Sequence, residues 1–193
     1  MRCLVATLTC LMPLTAATYM IQPMPGARFA LEVHKTGLMS GKVHVFEYER
    51  YSGTLDFDPA KPEAAKMDLR ISADSIVCRD TWIDDKDKKK VTEVALDMMQ
   101  HANYPEMRFV STSIARRADG TYDVAGNLSL KGITKPIVVN VQMKQDGKRW
   151  TFIGKAIVLR KDYKINPPSP VPFGIIGNKE EMPVSFSLSP TPN

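Results

Sequence analysis

The fold is indicated most clearly by one segment, Tyr122-Asp-Val-Ala-Gly-Asn-Leu-Ser-Leu-Lys-Gly-Ile-Thr-Lys-Pro-Ile-Val-Val-Asn-Val141. Apolar or small residues recur in it at every second position: Tyr122, Val124, Gly126, Leu128 and Leu130, then Ile137, Val139 and Val141. Strict period-two alternation predicts two half-buried strands. Residues 131–136 between them carry a glycine and a proline, so we expect the chain to turn back there. One long hairpin with a single apolar face indicates an antiparallel sheet that covers something on that side.

The rest of the chain extends this pattern. Alternation recurs in further segments: residues 28–34, 42–46, 51–59, 66–71, 106–114, 150–157 and 182–188. The spacing changes to three and four residues at Val91, Val94, Ala95 and Met98, which predicts one short amphipathic helix. Strands in hairpin order with one helix predict an all-β fold. We favour an antiparallel β-barrel of about eight or nine strands over a sandwich, because a closed sheet has no exposed edges.

Length and composition favour one domain. The 193 residues and 44% hydrophobic content suffice for one core, and a net charge of +5 is too modest to indicate nucleic-acid binding. Residues 1–17 have a basic start, an apolar stretch and small residues at the end, the layout of a secretory signal peptide cleaved after Ala17. A buried first strand is the alternative interpretation. We therefore predict one domain over residues 18–193 of a periplasmic or secreted protein.

Three motifs in order point to a known family. They are Ser52-Gly-Thr-Leu-Asp-Phe-Asp-Pro59, Tyr104-Pro-Glu-Met-Arg-Phe109 and Gly126-Asn-Leu-Ser-Leu-Lys-Gly-Ile-Thr-Lys-Pro136. With these motifs the chain resembles the YceI-like family of secreted polyisoprenoid-binding proteins, from about residue 28 to residue 188. The resemblance implies a lipocalin-like antiparallel barrel around an elongated apolar cavity, which would hold a long-chain isoprenoid or a similar amphiphile.

Alternation also selects candidate residues for the inside of such a barrel. They are Phe29, Leu31, Leu55, Phe57, Phe109, Val124, Leu128, Val139 and Val141. Met98 and Met99 join them, because the helix spacing predicts that they cover one end of the barrel. An eight-stranded barrel has room for one small ligand or for packed side chains. The 11 methionines favour a cavity, because flexible thioether side chains adapt to a featureless ligand.

Chemically reactive groups give little support for catalysis or metal binding. The sequence contains no nucleophile elbow, phosphate-binding loop or dinucleotide fingerprint, so we assign no catalytic residue. His34, His44 and His101 show no metal-ligand spacing, so we assign no metal site. Cys78 is interpreted as a passive, partly buried thiol, since no partner for it is evident. Asp84–Lys90 is interpreted as a solvated helix start, with attraction to anionic head groups as the alternative.

Three functions are compatible with this sequence. The first is a carrier or sequestering protein whose partner is the hydrophobic lipid, with no catalytic cofactor and with transient contact to a membrane surface. The second is a lipid-modifying enzyme of the isomerase or cyclase type, which requires an ionisable group of perturbed pKa in the cavity. The third is a cavity-free interaction module, which requires a filled interior and an exposed apolar patch. The oligomeric state is open, a homodimer included.

Overall fold

The computed structural model describes residues 16–166 and 176–193. The strands are β1 Ala17–Ile21, β2 Arg28–Gly37, β3 Val43–Tyr48, β4 Tyr51–Phe57, β5 Lys66–Ser72, β6 Ile76–Cys78, β7 Glu106–Arg116, β8 Tyr122–Leu130, β9 Ile133–Asp146, β10 Arg149–Leu159, β11 Ile176–Asn178, β12 Glu181–Leu188 and β13 Thr191–Pro192. The helix α1 spans Asp85–Met99, and short 3-10 segments span Pro62–Ala64, Ala73–Ser75 and Arg160–Tyr163. The predicted signal segment lies outside the described residues apart from its last two, Ala16 and Ala17.

The strands form one curled antiparallel sheet around a single core. Hydrogen bonding follows the order β13-β1-β4-β5-β7-β8-β9-β10-β12-β2-β3-β6, and β11 pairs with β2. The predicted all-β antiparallel class with one helix is confirmed. The strands exceed the expected eight or nine because β1, β6, β11 and β13 add pieces of five, three, three and two residues. Such short pieces show too little alternation to be recognised in sequence.

The β8–β9 hairpin is tighter than the sequence indicated. β8 and β9 are separated by Lys131 and Gly132 alone. Both residues have positive φ, 53° and 70°, as a two-residue type I′ turn requires. This turn matches the twist of the flanking strands, so the ladder continues up to it and Pro136 lies inside β9, opposite Asn127. The expectation of a turn extending to Pro136 was therefore wrong.

The inner face of the sheet follows the predicted alternation. In β8 the buried residues are Tyr122, Val124, Gly126, Leu128 and Leu130. In β3 and β4 they are His44, Phe46, Tyr48, Tyr51, Leu55 and Phe57. Because successive side chains of a strand point to opposite faces, each strand contributes every second residue to the interior. The core therefore lies inside the curl of the sheet, with contributions from the whole length of the chain.

Helix α1 lies against β6 at one side of the sheet. Its first turn is capped by Asp84, whose side chain accepts the backbone N–H of Asp87 at 2.8 Å. Ala95 and Met99 are buried, whereas Val94 is exposed, although the sequence placed Val94 on the buried stripe. The two buried residues of α1, Ala95 and Met99, are four positions apart, so the buried stripe runs along i, i+4 positions. Within the described residues, α1 and the shorter helical segments lack the length and apolar character for a membrane crossing.

Candidate ligand-binding cavities

The larger apolar cavity, cavity 1, lies inside the sheet next to α1 and has a volume of about 120 Å³. Seven of the eleven predicted pocket residues line it: Phe29, Leu31, Met98, Met99, Phe109, Leu128 and Val139. Among the described residues its lining has no charged side chain, and Tyr48 contributes the one hydroxyl found there. Burial raises the pKa of Tyr48, so the phenol stays neutral. Cavity 1 is therefore an apolar space with one polar group in its wall.

A second apolar cavity, cavity 2, has a volume of about 50 Å³. The other four predicted residues line it: Leu55, Phe57, Val124 and Val141. Met67 and Phe186 line both cavities. The single elongated cavity that the resemblance implied is thus divided into two apolar spaces that share a wall.

Phe186 is the aromatic residue of that wall. Its ring stacks on the ring of Phe29, with centroids 5.8 Å apart and planes 10° apart. Phe186 in β12 is paired with Gly154 in β10, and a Cβ placed on Gly154 would lie 2.0 Å from the ring's Cζ. The ring lies across the interior because position 154 has no side chain.

Methionine side chains make up much of the wall of cavity 1. They are Met67, Met98, Met99, Met107 and Met182. Unbranched thioether side chains can take several rotamers at little cost, so a wall of this composition can change shape around an apolar guest. Met98 and Met99, which the helix spacing predicted at one end of the barrel, lie in α1 and line cavity 1; a lid role for them stays a prediction.

Comparison with known proteins agrees with this architecture. Residues 22–189 match the model of the YceI-like domain. The chain belongs to the YceI-like family. A UPF0312 protein of Pseudomonas savastanoi pv. phaseolicola is 34% identical over 129 residues, which are 64% of this chain and 64% of that protein. A UPF0312 protein of Azotobacter vinelandii is 33% identical over 61% of this chain and 62% of its own length. The matches thus span less than two thirds of these relatives.

Solved structures share the fold of this YceI-like chain. BcnA of Burkholderia cenocepacia superposes with a TM-score of 0.72 at 21% identity, covering 87% of this chain and 98% of BcnA. A polyisoprenoid binding domain from Saccharophagus degradans, implicated in plant cell wall breakdown, gives 0.64 at 14% identity over 93% of this chain and 100% of that domain. At these identities the similarity establishes the fold alone.

Several cavity residues of the YceI-like domain were not among the predicted ones. They include Val33, Phe46, Tyr48, Met107, Met182 and Phe186. Their signal was present in the sequence as alternation within β2, β3, β7 and β12. Alternation assigns each residue to a face, but it does not tell which inward residue touches an empty space.

The YceI-like domain also brings together polar residues that sequence reasoning kept apart. His44, Cys78 and Asp80 are all buried, and their ligand-type atoms lie within 4.8 Å of one another. Pairing of β3 with β6 sets Phe46 opposite Cys78, which places His44 next to Asp80. Cys78, for which the sequence showed no partner, is fully buried and has His44 and Asp80 as neighbours. The sequence held no signal for this cluster, because the register between β3 and β6 is a tertiary property.

Two lysines near the start of α1 form ion pairs with aspartates of the same helix. Lys88 contacts Asp85 at 2.9 Å, and Lys90 contacts Asp87 at 3.1 Å. Such exposed pairs contribute little to stability, because solvent and salt screen them. This arrangement favours a solvated helix start over a strong lipid-binding patch.

Proposed function

We propose that this protein binds a long-chain isoprenoid or a similar amphiphilic lipid in its interior, as a carrier or sequestering protein. The observation that carries this proposal is cavity 1, whose lining within the described part of the chain is apolar apart from the Tyr48 hydroxyl. Such a space binds hydrocarbon through burial of apolar surface, at roughly 25 cal/mol per Å² before ordering costs. The described fold is also that of a domain named for polyisoprenoid binding.

The energetics indicate how much chain must be buried. Micromolar affinity needs about 8 kcal/mol of net binding free energy. The loss of translational and rotational freedom on association adds at least about 4 kcal/mol to that requirement. At about 0.8 kcal/mol for each buried methylene, roughly fifteen are needed, the equivalent of about three isoprene units.

Cavity 1 alone is too small for that length of chain. Its volume of about 120 Å³ is close to that of an apolar cavity of about 150 Å³ that holds benzene, so it accepts roughly one isoprene unit. Tight binding of a long hydrocarbon chain therefore requires that the methionine side chains of cavity 1 change rotamer and that the hydrocarbon chain also enters cavity 2. Met67 and Phe186 are the residues that must move, since they line both cavities.

The two alternative functions have less support. An enzyme that acts inside cavity 1 needs an ionisable group there, and the raised pKa of Tyr48 makes this phenol a poor acid or base. A cavity-free module needs a filled interior, in contrast to the two apolar cavities. Val138 and Ile157 are exposed on the outer face of neighbouring strands, and this exposed apolar surface is the feature that favours an interaction module.

Secretion and assembly belong to the same proposal. A periplasmic or secreted site of action rests on the predicted signal peptide over residues 1–17. Delivery of a lipid would involve transient contact with a membrane surface, for which the exposed Lys86 and Lys89 in α1 are candidates. A homodimer stays a prediction.

Lipid occupancy after expression in the periplasm tests the proposal. Native mass spectrometry and solvent extraction should recover a co-purifying lipid from the purified protein. A C15 or C20 isoprenoid alcohol should raise the melting temperature of the stripped protein, because it binds the folded state alone. Absence of both effects would overturn lipid binding, and recovery of a chemically altered alcohol would favour the enzyme.

A cavity-filling variant provides the matched control. Ala156 lines cavity 1, and a phenyl ring there is about the size of the benzene that such a cavity holds. Ala156→Phe should therefore remove the melting-temperature shift with the isoprenoid alcohol. Ile157 is the next residue of β10, faces outward and is 49% exposed, so Ile157→Phe should retain the shift.

A further inference from the structure

The cluster of His44, Cys78 and Asp80 is a second site candidate, independent of lipid binding. The three residues are 9%, 3% and 2% exposed, and one ligand-type atom of each lies within 4.8 Å of the other two. An imidazole, a thiol and a carboxylate are three of the side chains that bind divalent transition metals. The cluster lies outside both apolar cavities, none of whose lining residues belongs to it.

The Asp80 carboxylate is held in place by two neighbours. One oxygen contacts Nδ1 of His44 at 2.5 Å, and the other accepts the backbone N–H of Val45 at 2.7 Å. The His44 ring is further fixed by Trp82, whose ring centroid lies 5.2 Å away and whose Nε1 donates to the carbonyl of Val43 at 2.8 Å. Oriented, buried ligands of this kind need little reorganisation to bind an ion.

Stability alone does not explain this arrangement. The Asp80 side chain is fully inaccessible to solvent, and desolvation of a carboxylate costs several kcal/mol, which a pairing with histidine offsets only in part. Replacement of a buried ion pair by packed apolar side chains is often neutral or stabilising. A buried carboxylate between a histidine and a thiol therefore points to a binding role.

Access to the cluster comes from the outside of the domain. Cys78 and Asp80 also line an open groove between β6 and the start of α1, together with Lys88 and Thr92. Thr92 accepts the backbone N–H of Cys78 at 3.1 Å and so fixes the strand against the helix. The groove gives an ion a route from solvent to Cys78 that avoids the apolar interior, and the side chains of Asp80 and His44 must turn toward that route for all three to bind.

We propose that His44, Cys78 and Asp80 bind one Zn²⁺ ion, with a water from the groove in the fourth position. Zinc accepts this mixed set of nitrogen, sulfur and oxygen ligands in tetrahedral geometry. On binding, the thiol proton of Cys78 passes to solvent and the thiolate coordinates the metal, while the neutral His44 ring carries its proton on Nε2 so that Nδ1 is free to bind the ion. One thiolate and one carboxylate then neutralise the two charges of the ion. Ligand separations must adjust, with the short His44–Asp80 contact lengthening as both groups turn to the metal.

Nearby lysine side chains should affect the affinity of this site for the metal ion. Lys35 and Lys88 interact electrostatically with Asp80, and Lys88 also does so with Cys78. Lys88 is itself paired with Asp85 in α1. Removal of a like charge beside a cation site should strengthen binding, so Lys88→Gln should bind the metal several-fold more tightly. Lys90→Gln, at a position of α1 that is not part of the groove lining, should leave the affinity unchanged.

Cobalt titration of the full chain without an affinity tag tests the proposal. Cys3 and Cys10 are first changed to Ser, so that Cys78 is the remaining thiol. After treatment with a chelator and its removal, Co²⁺ should produce a thiolate-to-cobalt charge-transfer band in the near ultraviolet, with visible bands of tetrahedral cobalt. Saturation should occur at one ion per chain, and Zn²⁺ should displace the cobalt.

Ligand variants should weaken binding strongly. His44→Gln and Asp80→Asn should each reduce affinity by more than about 100-fold, beyond the usual effect of losing an outer-shell partner. Cys78→Ser should abolish the charge-transfer band, whereas His34→Gln and His101→Gln should preserve it. The parent protein should also gain a melting-temperature increase with Zn²⁺ that a chelator reverses. No charge-transfer band in the parent, or a band that survives Cys78→Ser, would overturn the site even if some variants fail to fold.

Discussion

Phe186 lies directly opposite Gly154 in the β10–β12 ladder, and its ring occupies the space that a Cβ at position 154 would need. The ring also stacks on Phe29 and forms a wall shared by cavities 1 and 2. One aromatic side chain thus separates two apolar spaces. The length of the chain that the domain can bind therefore depends on whether this ring stays in place.

Removal of the ring should join the cavities. Phe186→Ala is expected to lower the free energy of unfolding by about 3–5 kcal/mol, since it leaves a large void. A C20 isoprenoid alcohol should regain part of that stability by filling the void, and more of it than a C10 alcohol regains. Melting temperatures with a series of alcohols measure this effect. An equal response to C10 and C20 alcohols would show that Phe186 does not limit chain length.

Addition of a methyl group at position 154 should displace the ring. Gly154→Ala is expected to lower the free energy of unfolding by about 1–3 kcal/mol, because the new Cβ overlaps the Phe186 ring. Urea unfolding measures the change. In the Phe186→Ala background the same substitution should be nearly neutral, since the clash is gone. A similar loss in both backgrounds would place the cause in the backbone of β10 instead.

The cap of α1 should control access to cavity 1. Asp84→Ala should lower stability by about 1 kcal/mol, because the backbone N–H of Asp87 loses its acceptor. Hydrogen exchange should rise in α1, and bound lipid should dissociate faster, since Met98 and Met99 line the cavity. Asp85→Ala is the control, because the Asp85 side chain is 98% exposed and its pair with Lys88 lies on the surface. Equal effects of the two substitutions would contradict the capping role.

The ion pair between β5 and β7 should give the protein a pH-dependent contribution to stability. The Arg108 guanidinium beside Asp68 lowers the pKa of that carboxyl by hydrogen bonds at 2.8 and 2.5 Å. Its contribution is therefore present above the unfolded pKa of about 3.9 and lost as the pH falls through the lower folded value.

Asp68→Asn should accordingly lower the free energy of unfolding by up to about 1 kcal/mol at neutral pH, the upper range for partly exposed pairs. The difference from the parent should shrink steadily in urea titrations below about pH 4. Asp74→Asn, which removes a more exposed partner of Arg50, should have the smaller effect. A difference that persists unchanged in acid would show that packing, rather than charge, is responsible.

Alternation in the sequence was a reliable guide to the residues of the interior. The nine candidates that alternation selected all line cavity 1 or cavity 2, as do Met98 and Met99, which the helix spacing selected. This follows from the geometry of strands, since a side chain's face depends on its position within its own strand. Val94 shows the limit of such reasoning, because its exposure depends on how α1 is rotated against the sheet.

Nothing in the sequence indicated that the interior is divided into two cavities. Gly154 lies in β10 and Phe186 in β12, far apart in the chain, and alternation identifies each only as an inward-facing residue. Their overlap arises from the register of β10 with β12. The same holds for His44, Cys78 and Asp80, which meet through the pairing of β3 with β6.

Local chemistry in the chain was enough to determine the all-β class, the short amphipathic helix and the apolar character of the inner strand faces. Hydrophobic periodicity, helix caps and turn residues each act over a few positions, so a short stretch of sequence is enough to recognise them. The tertiary structure alone decided where the interior is empty, which ring divides it and which polar atoms come within reach of one ion. Those features depend on distances across the sheet, and strand register sets these distances between residues far apart in the chain.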